Sequence, residues 1–190
     1  MNISAVLLAG GESRRMGKDK ATMLFRRKPL WQIQLDLLRK LATAEILISA
    51  RSDPPWRPKE LEFVADDAPS RGPLSGLAAA LAKMHGSHLL GLAIDMPFMN
   101  PTYLGSLCER IELGRGVLPM IQNRAEPLAA IYPAEVCNDF VAALSGNDFS
   151  LQRLTKRLVA SGRLCAVNVP NSQEKFYRNL NEPVALDVLQ

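Results

Sequence analysis

Short continuous apolar runs alternate along this chain with stretches in which apolar residues recur at helical spacing. Ile3 to Leu8 is a near-continuous apolar run, the pattern of a strand buried on both faces of a parallel sheet. Pro29 to Leu41 carries Leu30, Ile33, Leu37 and Leu41 on one helical face, widened by Trp31, Leu35 and Leu38, with Pro29 near the first helical position. Glu45 to Ala50 predicts a second strand. Arg51 to Pro58 holds three prolines and reads as a loop, with Trp56 as its anchor. Leu61 to Val64 predicts a short strand, followed by a turn through Asp66, Asp67, Pro69 and Gly72. Leu74 to Met84 is an alanine-rich helix able to lie close to a sheet. Leu89 to Ile94 predicts a central strand ending at Asp95. Asn100 and Pro101 then form an N-cap and first turn of a helix reaching about Glu112.

The second half changes character. Gly116 to Met120 and Pro127 to Tyr132 predict short strands around a polar turn, Gln122 to Glu126. Ala134 to Leu144 and Ser150 to Ala160 predict helices, with Ser150 as an N-cap. Leu164 to Val169 predicts a strand, Asn171 to Lys175 a polar loop, and Pro183 to Leu189 a terminal helix. Strands alternating with helices imply an α/β fold with a parallel sheet and right-handed crossovers. There is no internal repeat, and 190 residues suit one domain spanning 1–190.

Composition narrows the class. A hydrophobic fraction of 47% with 22% charged residues fits a soluble globular protein. The formal net charge of +4 suits a small anionic ligand. No basic run is interleaved with aromatics, so nucleic acid is not the expected partner. Cys108, Cys137 and Cys165 are far apart and form no C-x-x-C, which argues against zinc and disulfides and for buried thiols in a reducing cytoplasm. His85 and His88 have no acidic or thiol neighbour in sequence, so a metal pair is not expected. No apolar run is long enough to span a membrane, and the first residues lack a basic segment before an apolar core.

The chemistry concentrates in Val6 to Lys20, V-L-L-A-G-G-E-S-R-R-M-G-K-D-K, a strand that breaks at adjacent glycines and ends on lysine. Such a segment offers backbone N–H groups and positive charge to phosphates. It is not a Walker A loop, because Gly11 to Gly17 is one residue too long and Lys18 is followed by Asp19. It is not a dinucleotide fingerprint either. Gly10 and Gly11 are adjacent, and the acid at the required distance, Asp36, falls inside the predicted helix. Other strands end in polar residues: Ser49, Asp66 with Asp67, and Asp95. In an open parallel sheet these converge on one edge. Asp95, in I-D-M-P-F, is a carboxylate after an apolar strand and suits a magnesium ligand.

The run Leu8 to Lys20 resembles L-A-G-G-x-S-x-R-M-G-x-D-K, the signature of the nucleotidyltransferases related to molybdenum cofactor guanylyltransferase. Four further segments resemble that family in the same order. Gly72 to Gly76 (G-P-L-S-G) matches G-P-L-A-G. Ile94-Asp95-Met96-Pro97 matches C-D-x-P, with Ile94 for cysteine. Glu126-Pro127-Leu128 matches H-P-x, with Glu126 for histidine. Asn179 to Pro183 (N-L-N-E-P) matches N-x-N-T-P.

The resemblance implies a three-layer Rossmann-like nucleotidyltransferase fold, with a mostly parallel central sheet flanked by helices. It implies attack of an acceptor's terminal phosphate on the α-phosphate of a nucleoside triphosphate, releasing pyrophosphate. Lys20, Arg15 and Arg14 would hold the triphosphate. Leu8, Ala9, Gly10, Gly11, Lys20, Ser49, Asp66, Gly76 and Asp95 would form the nucleotide site, and Mg2+ would lie on Asp95 and Asn181. Leu8-Ala9-Gly10-Gly11 favours GTP, since cytidylyltransferase relatives carry Leu-Ala-Ala-Gly. Ser49 stands where guanylyl members carry asparagine. The implied acceptor is molybdopterin or its molybdenum form. Residues 1–112 would be the nucleotide half and 113–190 the acceptor half. Arg153, Lys156 and Arg157 read as a solvated helix face. Transient hand-over to molybdenum cofactor biosynthesis or acceptor proteins is implied, with no nucleic-acid or membrane partner and a cytoplasmic location. A cytidylyltransferase, a sugar-phosphate nucleotidyltransferase and a non-catalytic nucleotide-binding protein remain the alternatives. Retention of both Lys20 and Asp95 argues against the last.

Overall fold

The computed structural model describes residues 1–10, 19–41, 43–66 and 69–180. Gly11, Arg14, Arg15, Asp67, Asn181 and the terminal helix expected at 183–189 lie outside the described residues.

Strands β1 (Ile3–Leu8), β4 (Glu45–Ala50), β5 (Glu62–Ala65), β6 (His88–Ala93), β7 (Gly116–Ile121), β8 (Arg124–Ala125), β9 (Ile131–Pro133) and β10 (Leu164–Asn168) build one sheet. Its order is β10-β7-β9-β6-β1-β4-β5, with β8 paired to β7. Strands β2 (Leu24–Phe25) and β3 (Lys28–Pro29) form a separate hairpin. Helices α1 (Leu30–Arg39), α2 (Pro73–Lys83), α3 (Pro101–Cys108), α4 (Cys137–Ser145) and α5 (Leu151–Ala160) cover the sheet. β1 pairs in parallel with β4 and β6, β4 with β5, and β10 with β7. Only β9 among the strands of the main order runs against its neighbours, antiparallel to β6 and β7. The mostly parallel α/β sheet flanked by helices is the architecture expected.

The continuous apolar character of β1 follows from burial on both faces. Ala5 and Leu7 belong to one core cluster with Leu35 and Leu38 of α1 and Leu104 of α3, whereas Val6 and Leu8 belong to a second with Leu77 of α2, Phe140 of α4 and Leu158 of α5. Two apolar layers thus clamp one sheet, the arrangement that removes most apolar area from water in such folds.

Several elements depart from expectation. Pro127 to Tyr132 is not one strand: Pro127–Ala129 is a 3-10 turn and β9 follows it. Pro127 has no N–H for a ladder, and the buried Tyr132 hydroxyl donates to the Pro127 carbonyl at 2.6 Å, closing the turn. Asn171–Tyr177 is 3-10 rather than open loop, because Tyr177 is drawn inward to a 2.7 Å hydroxyl contact with Tyr103. Ala134–Val136 is 3-10 before α4 begins, and α3 stops at Cys108. The β2–β3 hairpin turns on Arg26 and Arg27, both at positive φ (50° and 65°), without the usual Asn-Gly signal. The three cysteines are free but partly exposed rather than buried. His88 is buried, with Nε2 3.0 Å from the Glu112 carbonyl, while His85 is exposed beside Glu45, so the two histidines do separate work. The expected caps form: Asn100 Oδ1 accepts from the Tyr103 amide at 3.1 Å, and Ser150 Oγ from Arg153 at 3.4 Å.

Candidate active site

The parallel register brings the carboxyl ends of β1, β4, β5 and β6 level. Leu8 lies opposite Ser49 and Ala93, and Ser49 opposite Val64. The ladder runs on past the strands. The Ala9 amide donates to Ser49 O at 2.8 Å, Ile94 to Leu8 O at 3.1 Å, and Asp66 to Ala50 O at 3.0 Å. The polar residues that follow each strand are therefore delivered to a common edge, and a cleft opens there. Leu8, Ala9, Gly10, Lys20, Ser49, Asp66, Gly76 and Asp95 all line it. Every described residue in the expected nucleotide site is thus in one place. Gly11, Arg15 and Asn181 lie outside the described residues.

Asp66 occupies the tightest point. Its Oδ1 accepts from the buried Ser49 Oγ at 2.7 Å. A Cβ on Gly10 would stand 2.6 Å from Asp66 Oδ2. A Cβ on Gly76 would stand 2.7 Å from Ser49 Oγ and 2.9 Å from Leu8 Cδ2. Gly10 leaves the space that the Asp66 carboxylate fills, and Gly76 the space that Ser49 Oγ and Leu8 fill. The first turn of α2 also faces the cleft through Gly72 and Pro73, with no side chain capping it. Its N–H end favours an acceptor or anion.

Lys20 begins a 3-10 turn, Lys20–Thr22, which Asp19 caps by accepting from the Ala21 amide at 2.9 Å. The other Asp19 oxygen accepts from Trp56 Nε1 at 2.9 Å, and Trp56 stacks on Trp31 with ring centroids 5.6 Å apart. Trp56 anchors its proline-rich loop, as expected, and steadies the turn that presents Lys20. Lys20 Nζ lies 3.1 Å from Asp95 Oδ2, with both side chains about four-fifths buried (23% and 19% exposed). The Asp95 carbonyl accepts from the Leu180 amide at 2.9 Å, which brings the chain leading to Asn181 to this strand end.

Among the described residues no group of three or more His, Cys, Asp or Glu side chains could hold a metal ion. Asp95 alone is nevertheless a donor set that fits magnesium carried on a polyphosphate, an ion that keeps its waters and takes one or two carboxylates plus phosphate oxygens. Asp95 Oδ1 has no hydrogen-bond or ion-pair partner among the described residues.

Leu128 also lines the cleft, although the Glu126-Pro127-Leu128 match did not assign it to the nucleotide site. It arrives there because β9 inserts beside β6. Glu126, at the entry of the same 3-10 turn, is half-buried. Burial pushes its carboxyl above the usual range, and Arg124 offsets only part of that. Arg153, Lys156 and Arg157 are exposed on α5, and Arg153 pairs with Asp148 at 3.1 Å. No helix among the described residues is long and apolar enough to cross a membrane.

The chain is 33% identical over 184 residues to a probable molybdenum cofactor guanylyltransferase of Opitutus terrae, covering 95% of this chain and 91% of that one. A protein of the same description from a Geobacillus species is 29% identical over 195 residues, covering 97% and 96%. The fold is similar to the crystal structure of molybdopterin-guanine dinucleotide biosynthesis protein A from Archaeoglobus fulgidus, with a TM-score of 0.73 at 22% identity over 97% of this chain and 94% of that one. Residues 5–169 match the model of the MobA-like NTP transferase domain. With that match spanning both the glycine loop and the strand that carries Asp95, the chain belongs to the MobA-like NTP transferase family.

Proposed function

We propose that this protein transfers GMP from GTP to the terminal phosphate of molybdopterin or its molybdenum form, releasing pyrophosphate. The observation that carries the reading is the meeting of Lys20 and Asp95, 75 residues apart in sequence, in a cleft that Leu8, Ala9 and Gly10 also line. A cation for phosphate and a carboxylate for a metal ion, side by side in one cleft, are what joining two anions requires. The names of the relatives support guanylyl transfer to the molybdenum cofactor.

In this reading Gly10 and Gly76 leave room for the Asp66 and Ser49 side chains, and Asp66, held by Ser49, sets the cleft wall against the nucleoside. Lys20, together with Arg15, holds the triphosphate and aligns its α-phosphate. Asp95, with Asn181, would hold Mg2+, whose positive charge would offset the negative charge that develops in transfer. The acceptor phosphate is itself the nucleophile, so no serine, cysteine or histidine is needed to attack. The guanine preference rests on Gly10, the position at which the guanylyl and cytidylyl loop patterns differ. A Cβ there meets Asp66 Oδ2 at 2.6 Å, so alanine would displace the cleft wall. Residues 1–112 serve the nucleotide and 113–190 the acceptor. The reaction draws on cytoplasmic GTP, and the product passes to proteins of cofactor assembly.

The test is a nucleotide panel with pyrophosphate detection, with and without molybdopterin. GTP with magnesium and molybdopterin is expected to release one pyrophosphate per dinucleotide, and CTP to be poor. Equal use of CTP would overturn the guanine assignment. GTP binding without pyrophosphate from any acceptor would overturn transfer.

A further inference from the structure

Lys20 is presented by very little structure of its own. Lys20–Thr22 is a single 3-10 turn, and a turn of three residues does not hold itself in place. Its downstream end is tied to α1, where the Leu30 amide donates to the Met23 carbonyl at 2.9 Å, and Ala21 within it is fully buried. At its start stands Asp19. One carboxylate oxygen caps the turn, accepting from the Ala21 amide at 2.9 Å, and the other accepts from Trp56 Nε1 at 2.9 Å.

The Trp56 indole does more than anchor its loop. That loop, 51–58, already closes on itself. Arg57 grips Asp53 through two guanidinium N–H groups at 2.6 and 2.7 Å, and its backbone amide donates to the Pro54 carbonyl at 3.0 Å. A further guanidinium N–H of Arg57 donates to the Leu61 carbonyl. The indole stacks on Trp31, in the first turn of α1, with ring centroids 5.6 Å apart and planes 15° from parallel. The stack fixes where the indole N–H points, and it points at Asp19, 37 residues away in sequence, rather than into its own loop. A hydrogen bond accepted by a charged oxygen is among the stronger ones a side chain makes. The loop follows β4, whose Ser49 lines the cleft, so this brace and the cleft wall leave the same strand end.

We propose that Trp56 is a positioning residue for phosphate binding: through Asp19 it fixes the turn from which Lys20 reaches the triphosphate. This rests on the reading of Lys20 as the triphosphate's cation, and not on the identity of the base or the acceptor. Misplacing a reacting group by about 1 Å costs on the order of 100-fold in rate. A brace behind the Lys20 turn therefore acts on the reaction, although Trp56 is not among the described residues that line the cleft.

The test is a double-mutant cycle on nucleotide affinity, read by calorimetry on the full chain with GTP and with CTP, the tighter being carried through the variants. Trp56→Phe keeps an aromatic ring for the stack and removes the N–H. Asp19→Asn keeps an oxygen for the cap and turns an amide N–H towards the indole. Each is expected to weaken the triphosphate at least threefold and to leave the matching nucleoside within twofold, which also shows that the cleft is folded. In a Lys20→Met background neither should weaken the triphosphate further, because the proposed route from indole to phosphate runs through Lys20. A tryptophan that merely stiffened the fold would weaken binding by the same factor with or without Lys20. That additive result would overturn the proposal, as would unchanged triphosphate affinity in Trp56→Phe, equal weakening of the nucleoside, or no saturable binding of either nucleotide. Coupling to Lys20 in a protein that releases no pyrophosphate with any acceptor would leave Trp56 assigned and sink the transfer reading. Pyrophosphate release with an additive cycle would do the reverse.

Discussion

Lys20 Nζ lies 3.1 Å from Asp95 Oδ2, so the cation proposed to hold phosphate and the carboxylate proposed to hold the metal ion neutralise each other. Under that proposal each gives up the other when a magnesium nucleotide arrives. The triphosphate offers Lys20 a replacement anion, and the metal offers Asp95 a replacement cation, so binding exchanges one pair for two. The pair also keeps two largely buried charges from standing uncompensated in the free protein.

Asp95→Asn is expected to lower the rate of pyrophosphate release by at least about 100-fold, the loss typical of removing one preorganised electrostatic contact. GTP binding measured without magnesium should persist, because Lys20 is then free for phosphate. Single-turnover rates beside a metal-free binding isotherm check both halves. A near-normal rate would remove Asp95 from the reaction.

Metal affinity should depend on nucleotide. With Lys20 occupying Asp95 Oδ2, Mn2+ should bind the free protein weakly and the GTP complex at least tenfold more tightly. Lys20→Met should narrow that ratio by strengthening metal binding to the free protein. Electron paramagnetic resonance titration of Mn2+ reads it directly, and a ratio unaffected by Lys20→Met would refute the exchange.

Gly76→Ala places a Cβ 2.7 Å from Ser49 Oγ and 2.9 Å from Leu8 Cδ2. Ser49 is buried and bonded to Asp66, so the strain passes to the cleft wall. GTP affinity should fall at least about tenfold, about 1.4 kcal/mol. Calorimetric titration with GTP measures it; unchanged affinity would mean that Asp66 does not shape the nucleotide site.

Remote from the cleft, Ser4 Oγ and the His85 amide and ring all hydrogen-bond the Glu45 carboxylate. Burial alone would raise that carboxyl, but these contacts outweigh it and hold it below its ordinary 4.5. The hydrogen bond to Glu45 in turn raises His85 above 6.5. A lowered carboxyl stabilises fully above its unfolded value and loses that stabilisation as pH falls through its folded value. A raised histidine does so fully below its unfolded value and loses it as pH rises through its folded one. The stability gap between wild type and Glu45→Gln should therefore be widest at about pH 5.5 and shrink on either side. Urea unfolding midpoints across pH would show it, and a flat gap would exclude the linkage.

Tyr132→Phe deletes the 2.6 Å bond from a fully buried hydroxyl to the Pro127 carbonyl. Leaving that carbonyl without its donor should cost about 1–3 kcal/mol. The loosened turn carries both Leu128 and Glu126, so the KM values for nucleotide and acceptor should rise together. Denaturant unfolding with initial-rate kinetics would test this, and a stable variant with normal KM values would deny the turn its structural role.

The sequence alone determined the elements whose signal is local. Ile3 to Leu8 and Glu45 to Ala50 read as strands with their observed bounds, because apolar runs report burial on both faces. Asn100 and Ser150 read as caps, because a cap is made within three residues. The order of the strand ends also placed Ser49, Asp66 and Asp95 on one edge beside the glycine loop, since parallel strands share an end. What tertiary structure decided is whatever depends on a distant partner. An apolar run does not state its direction, so the antiparallel insertion of β9, which carries Leu128 of the Glu126-Pro127-Leu128 segment into the cleft, was not legible. Arg26-Arg27 carries no turn chemistry, so its hairpin forms only through packing around it; the buried Phe25 holds that hairpin against Phe98. Lys20 and Asp95 read separately as a phosphate cation and a metal carboxylate. Only the fold, by bringing residues 75 apart to 3.1 Å, makes them one ion pair.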